Sequence, residues 1–172
     1  MISSRASRVV GVLSLAGVLV LLAAPAGAAT KPAACDLVAT DELDAALGST
    51  FGPGEQYVAG TGVTCGFEGT GPVRGATVRV ARGKQAKVAM TKSLRALRET
   101  LRSIDSDPPR KVAGLGTRAY YSLDEFLDEG SIEVLDGKTY IQVTAILSPG
   151  ADPGFVSESV LADLAARALA RA

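Results

Sequence analysis

The sequence predicts an α+β fold: an antiparallel sheet of about five strands with helices packed mainly on one face, in the order α-ββ-α-βββ-α. Three observations carry that expectation. Two apolar-alternating runs flank the turn sequence Gly69-Thr70-Gly71-Pro72, and two more flank Asp136-Gly137. Between these pairs lies a segment of helical period from Lys84 to Ile104.

The chain begins with a segment of a different kind. Arg5 and Arg8 form a short basic head, Val9 to Ala24 is apolar apart from glycines and Ser14, and Ala26-Gly27-Ala28 offers small residues for cleavage. This is the three-part plan of a secretory signal peptide over residues 1–28. An uncleaved anchor is the rival reading. The apolar run is short for a spanning helix and no stop-transfer charges follow it, so cleavage near Ala28 is expected. Residues 29–172 then form a single secreted α+β domain. A lipid on Cys35 is not expected, because Pro32-Ala33-Ala34 lacks the leucine-like residue of a lipobox. An exported chain with an even cysteine count pairs Cys35 with Cys65 in one disulfide.

Each element follows from local chemistry. Thr40 is placed to cap a short helix over Asp41–Leu47, with acids in its first turn and Gly48 at its end. Five glycines and a proline make Gly48–Gly62 a loop, with at most a short strand near Tyr57-Val58. Val63–Phe67 and Ala76–Ala81 form the first hairpin. In the long helix, Ala86, Met90, Leu94, Leu97, Leu101 and Ile104 share one sector, and Lys84, Lys87, Arg95, Arg98 and Arg102 the neighbouring one. Asp107-Pro108-Pro109 ends it. Lys111–Tyr121 enters a strand through the bend at Gly114 and Gly116. Ser131–Leu135 and Thr139–Leu147 form a second hairpin, whose Asp136-Gly137 suits a type I′ turn. Asp152-Pro153 reads as the cap and first residue of a last helix, which buries Val160, Leu161, Leu164, Ala165 and Ala168. Gly75-Ala76-Thr77-Val78 and Gly137-Lys138-Thr139-Tyr140 echo one another, each opening a returning strand that leads to a helix.

Composition excludes much. Among 172 residues there is no histidine, tryptophan or asparagine, which removes His triads, His-ligated zinc and a histidine base. Lysine plus arginine equals aspartate plus glutamate at 18 each, so nucleic acid is not an expected partner. Removal of the leader takes away Arg5 and Arg8 and no acid, leaving a mildly acidic domain.

Several segments resemble an actinobacterial family of small secreted proteins and lipoproteins classed as a domain of unknown function. They are Cys35-Asp36-Leu37 with the helix ending Leu47-Gly48, Cys65-Gly66-Phe67, Val112-Ala113-Gly114-Leu115-Gly116-Thr117-Arg118-Ala119, and the helix around Leu164-Ala165. The resemblance spans nearly the whole mature chain. It implies an extracytoplasmic two-cysteine α+β domain of the cell envelope and carries no assigned activity. The missing lipobox is a departure from it.

Charge is segregated along the chain. Arg74 to Arg102 holds nine basic residues against Glu99 alone, and Asp124 to Asp136 holds six acids and no base. The basic stripe of Lys84, Lys87, Arg95, Arg98 and Arg102 is the candidate surface for an anion or a partner; its bland reading is a solvated face. Asp124, Glu125, Asp128 and Glu129 are carboxylates of the kind calcium or glycan chemistry uses, but Phe126, Glu129 and Leu135 break the EF-hand pattern. Arg82-Gly83-Lys84 lacks the other residues of a nucleotide loop. The expected function is a non-enzymatic secreted or envelope binding domain that recognises a protein or anionic ligand, with no cofactor and only peripheral membrane contact. A small carboxylate-dependent hydrolase and an extracytoplasmic sensor-like domain are the alternatives. Ligand, partner and oligomeric state are open.

Overall fold

The structure is a computed structural model that describes residues 32–172; the expected signal peptide lies outside them. The fold is α+β with a wholly antiparallel sheet, as expected, but the sheet has eight strands rather than about five. They are β1 (Thr50–Phe51), β2 (Glu55–Ala59), β3 (Gly62–Thr70), β4 (Val73–Arg82), β5 (Arg110–Val112), β6 (Arg118–Asp124), β7 (Glu129–Asp136) and β8 (Thr139–Leu147). The helices are α1 (Thr40–Leu47), α2 (Lys84–Ser103) and α3 (Glu158–Arg171). Two 3₁₀ turns, Ala34–Asp36 and Pro153–Val156, precede α1 and α3. The order is therefore α-ββββ-α-ββββ-α.

The extra strands have two origins. The glycine-rich stretch before β3 pairs along its outer edge in two pieces, β1 and β2, interrupted at Gly52-Pro53-Gly54. The run expected as one strand over 111–121 divides into β5 and β6, because Gly114 and Gly116 both take positive φ between them. Strands follow the spatial order β1-β3-β4-β8-β7-β6-β5, with β2 also on β3. The central pairing, β4 with β8, joins the first hairpin to the last.

Helix and turn chemistry differ from expectation in detail. Ala39, not Thr40, holds the N-cap position of α1, and the Glu42 carboxylate accepts from the Ala39 N–H at 3.0 Å. Gly48 ends α1 in the left-handed region, φ +65°. In the β7–β8 hairpin Asp136 pairs with Thr139, so Gly137-Lys138 is the two-residue loop. Only Gly137 has positive φ, the pattern of a II′ turn rather than I′. Asp152 caps the 3₁₀ turn, its Oδ1 accepting from the Gly154 N–H at 2.7 Å, and α3 starts five residues after Pro153.

The two sheet faces carry separate cores. Val78, Val80, Ile132, Val134, Ile141, Val143 and Ala145 point to one face and meet Leu43 and Leu47 of α1 and Leu161, Leu164, Ala165 and Ala168 of α3. The alternate residues Ala81, Leu135 and Tyr140 point to the other face and meet Ala86, Ala89, Met90 and Leu94 of α2. Two helices thus share one face and α2 covers part of the opposite one. Antiparallel neighbours related by duplication would carry their following helices on the same face, so the echo around Thr77 and Thr139 reflects local ββα grammar. The Cys35–Cys65 disulfide is formed and ties the first 3₁₀ turn to β3. It matches an oxidising, extracytoplasmic compartment. Among the described residues, no helix is long and apolar enough to cross a membrane.

Candidate functional site

The α2 helix positions every residue of the candidate surface. Its buried stripe of Ala86, Met90, Leu94 and Leu101 fixes its rotation on the sheet. Leu97 and Ile104, expected in the same stripe, are half-buried at its margin. Lys84, Lys87, Lys92, Arg95, Arg98 and Arg102 are all exposed. Arg95 pairs with Glu99 one turn on, at 2.9 Å, with both side chains mostly in solvent. The Arg98 guanidinium lies 6.0 Å above the Tyr120 ring. Lys84, Lys87, Lys92 and Arg102 enter no ion pair among the described residues. The helix start adds to this polarity: Gly83 has no capping side chain and the first turn holds no acid, so its backbone N–H groups and dipole stay uncompensated. Arg82, adjacent in sequence, does not join the stripe. Its Nη2 donates to the Pro32 carbonyl at 3.0 Å and its Nε to that of Ala172 at 3.4 Å.

Beneath α2 lies a polar layer that sequence reasoning missed. Thr64, Arg79, Gln142, Glu133 and Tyr120 are successive cross-strand neighbours on β3, β4, β8, β7 and β6. They form one row on the α2 side of the sheet. Glu133 is 1% exposed, and the Ser93 hydroxyl of α2 donates to its Oε1 at 2.7 Å. Burial pushes the Glu133 carboxyl up to about 7, against the opposing pull of the Ser93 bond, Tyr140 and the positive charges of Arg79 and Arg98. Burial likewise raises the Tyr140 phenol strongly. Protein groups leave Glu133 Oε2, the Tyr140 hydroxyl, Arg79 Nε and Thr64 Oγ1 without hydrogen-bond partners. Ser93 was the available signal: it interrupts an apolar helix sector opposite the one acid in the run Ser131–Leu135.

The acidic block does not assemble into one patch. Asp124 is buried, and its Oδ1 accepts from the N–H groups of Phe126 and Leu127, each at 3.0 Å, which holds the β6–β7 turn. Glu129 faces Asp124 across that hairpin, and burial first, then the Asp124 charge, raise its carboxyl. Asp136 accepts from the Thr117 hydroxyl at 3.1 Å, and Glu133 sits under α2. Among the described residues, no group of three or more Cys, Asp or Glu side chains is placed to hold a metal ion. Comparison with protein-family models, with curated proteins and with solved structures finds no match.

Proposed function

We propose that the chain is a non-catalytic binding or accessory domain of the cell envelope or extracellular space, which engages an anionic ligand or an acidic protein surface through the outer side of α2. The observation that carries this reading is the exposure of six cationic side chains along one helix whose sole acid, Glu99, is already paired with Arg95. Each exposed cation contributes little alone, but together they form a field of one sign that an anion meets over the whole helix. The uncapped N-terminus beside Lys84 and Lys87 strengthens the same end. The formed disulfide, the signal-peptide pattern of residues 1–28 and the resemblance to secreted actinobacterial proteins support an exported location.

The test is capture on phosphatidylglycerol vesicles and on dextran-sulfate beads, each over a salt series. The folded protein should bind both and release as salt rises, because the Debye length falls to about 3 Å at 1 M. Reversal of Lys84, Lys87, Arg98 and Arg102 to Glu should reduce capture at least tenfold. Arg95→Ala should have a smaller effect, since Glu99 already screens that charge. Capture that survives the quadruple reversal removes the stripe from the function.

A further inference from the structure

The two edges of the sheet are built differently. β5, on one edge, is three residues long, carries Arg110 and Lys111 and follows Pro108-Pro109, all of which discourage another strand from pairing with it. β2, on the opposite edge, holds no lysine, arginine, proline or bulge, and its Tyr57 and Val58 are 50% and 80% exposed on opposite faces. An open strand edge of this kind is a template for a further strand.

The hairpin fixes which backbone groups are open. Gly60-Thr61 is the two-residue loop between the paired Ala59 and Gly62. Ala59, Tyr57 and Glu55 therefore turn their N–H and C=O groups toward β3, and Gln56 and Val58 turn theirs outward. Among the described residues, no backbone group meets them there. An antiparallel second copy of β2 centred on Tyr57 sets Gln56 opposite Val58 and Val58 opposite Gln56. Outward groups then meet outward groups on both strands, and the two Tyr57 rings meet on the symmetry axis.

Charge picks out the same partner. In that register Glu55, the one charged residue of β2, falls opposite Ala59 of the second copy. The Ala59 carbonyl accepts from Arg79 Nη2 at 2.8 Å. Gly62 leaves the lane across β3 that this side chain follows, since an added Cβ there would lie 3.2 Å from Arg79 Nε. Arg79 enters no ion pair among the described residues, and its buried Nε has no hydrogen-bond partner. Glu55 is exposed and equally without an ion pair among them. Directly opposed residues stand about 4.5–5.5 Å apart at Cβ, so each Glu55 carboxylate reaches the Arg79 guanidinium of the other copy.

We propose that the protein pairs with a second copy of itself through antiparallel β2 strands centred on Tyr57, with reciprocal Glu55–Arg79 ion pairs. So short an edge falls below the roughly 1,200 Å² of stable complexes, and the dimer is weak and reversible. It leaves the cationic outer side of α2 free.

The test is sedimentation equilibrium of the intact secreted protein from about 10 µM to about 1 mM, with amide hydrogen exchange followed by NMR at both ends of that range. Monomer and dimer should interconvert, and at the higher concentration protection should rise at Gln56 and Val58 but not at Tyr57, whose N–H already faces β3. Glu55→Lys, at an exposed position, should weaken association at least tenfold, and Tyr57→Lys should do the same by setting like charges on the axis. Reversal of Lys84 and Lys87 to Glu should leave the dimer in place, so its outcome is independent of capture at α2. A monomer throughout the range, association that leaves exchange at Gln56 and Val58 unchanged, or unaltered affinity in Glu55→Lys would overturn the proposal.

Discussion

Glu133 places an ionisable group where solvent cannot reach it, and this gives one residue a measurable hold on the stability of the domain. Its carboxyl rises from an ordinary value of 4.5 to about 7 on folding. The folded state therefore holds a proton that the unfolded chain releases between those values. The contribution is fully present below about pH 4.5 and is lost as pH rises through 7, on the order of 3 kcal/mol. Glu133→Gln keeps the shape and the Ser93 contact but cannot ionise. Urea titrations at pH 4.5, 6 and 8 should show the wild-type protein weakening as pH rises and the variant weakening much less, through the raised carboxyl of Glu129, with the variant the more stable at pH 8. A wild-type profile as flat as that of the variant would contradict this. The glutamate was hard to recognise in sequence because Ser131–Leu135 is a strand covered on both faces. Alternation identifies a buried face only when the other face is wet.

At the level of elements, α1 and α3 are fastened by one carboxylate. Arg171 approaches Glu42 with both terminal nitrogens, Nη2 at 2.7 Å from Oε1, and also donates to the Leu37 carbonyl at 3.0 Å. Arg167 joins at 3.4 Å. The hydrogen bonds from Arg171 first, then that from the Ala39 N–H, pull the Glu42 carboxyl down to about 2. Its stabilising contribution is present above about pH 4.5 and lost as pH falls toward 2. In Arg171→Ala the Glu42 carboxyl, followed by NMR titration, should move back up toward 4.5, and acid unfolding should begin at higher pH. An unmoved titration would show that the pair does not form in solution. The hairpins and the three helices were legible because turn chemistry and the 3.6 period are local signals. The short strand expected near Tyr57-Val58 is β2, whereas two-residue β1 and the division of β5 from β6 were not legible, since so short a strand has no side-chain periodicity and takes its pairing from a neighbour. The basic stripe was legible as a helix face, whereas the Ser93–Glu133 contact depends on two segments meeting across the fold.

For the molecule as a whole, Glu42 and Glu133 act over adjoining pH windows, so stability from these two groups is greatest near pH 4.5. The disulfide adds a term that pH does not touch. It spans a sequence separation of 30, and Cys65 is fully buried against Phe67 and the backbone at Gly54, where an added Cβ would run into both side chains. Replacing both cysteines with serine should lower unfolding free energy by roughly 3–4 kcal/mol in urea titrations. A loss well under 1 kcal/mol would mean that packing alone fixes this corner. The central β4–β8 pairing has a consequence in time. Residues 73–82 pair on one side with the adjacent β3, but on the other side only with the distant 139–147, and the larger core is completed only by α3. A chain wired with such distant contacts folds late, since the closure of long loops must precede any reward from them. As it emerges N-terminus first, the two cysteines and β3 become available long before β8 and α3 exist to cover them. Cys35 and Cys65 lie closer together in sequence than β4 and β8 do, so closing their loop costs less entropy and their oxidation can precede completion of the sheet.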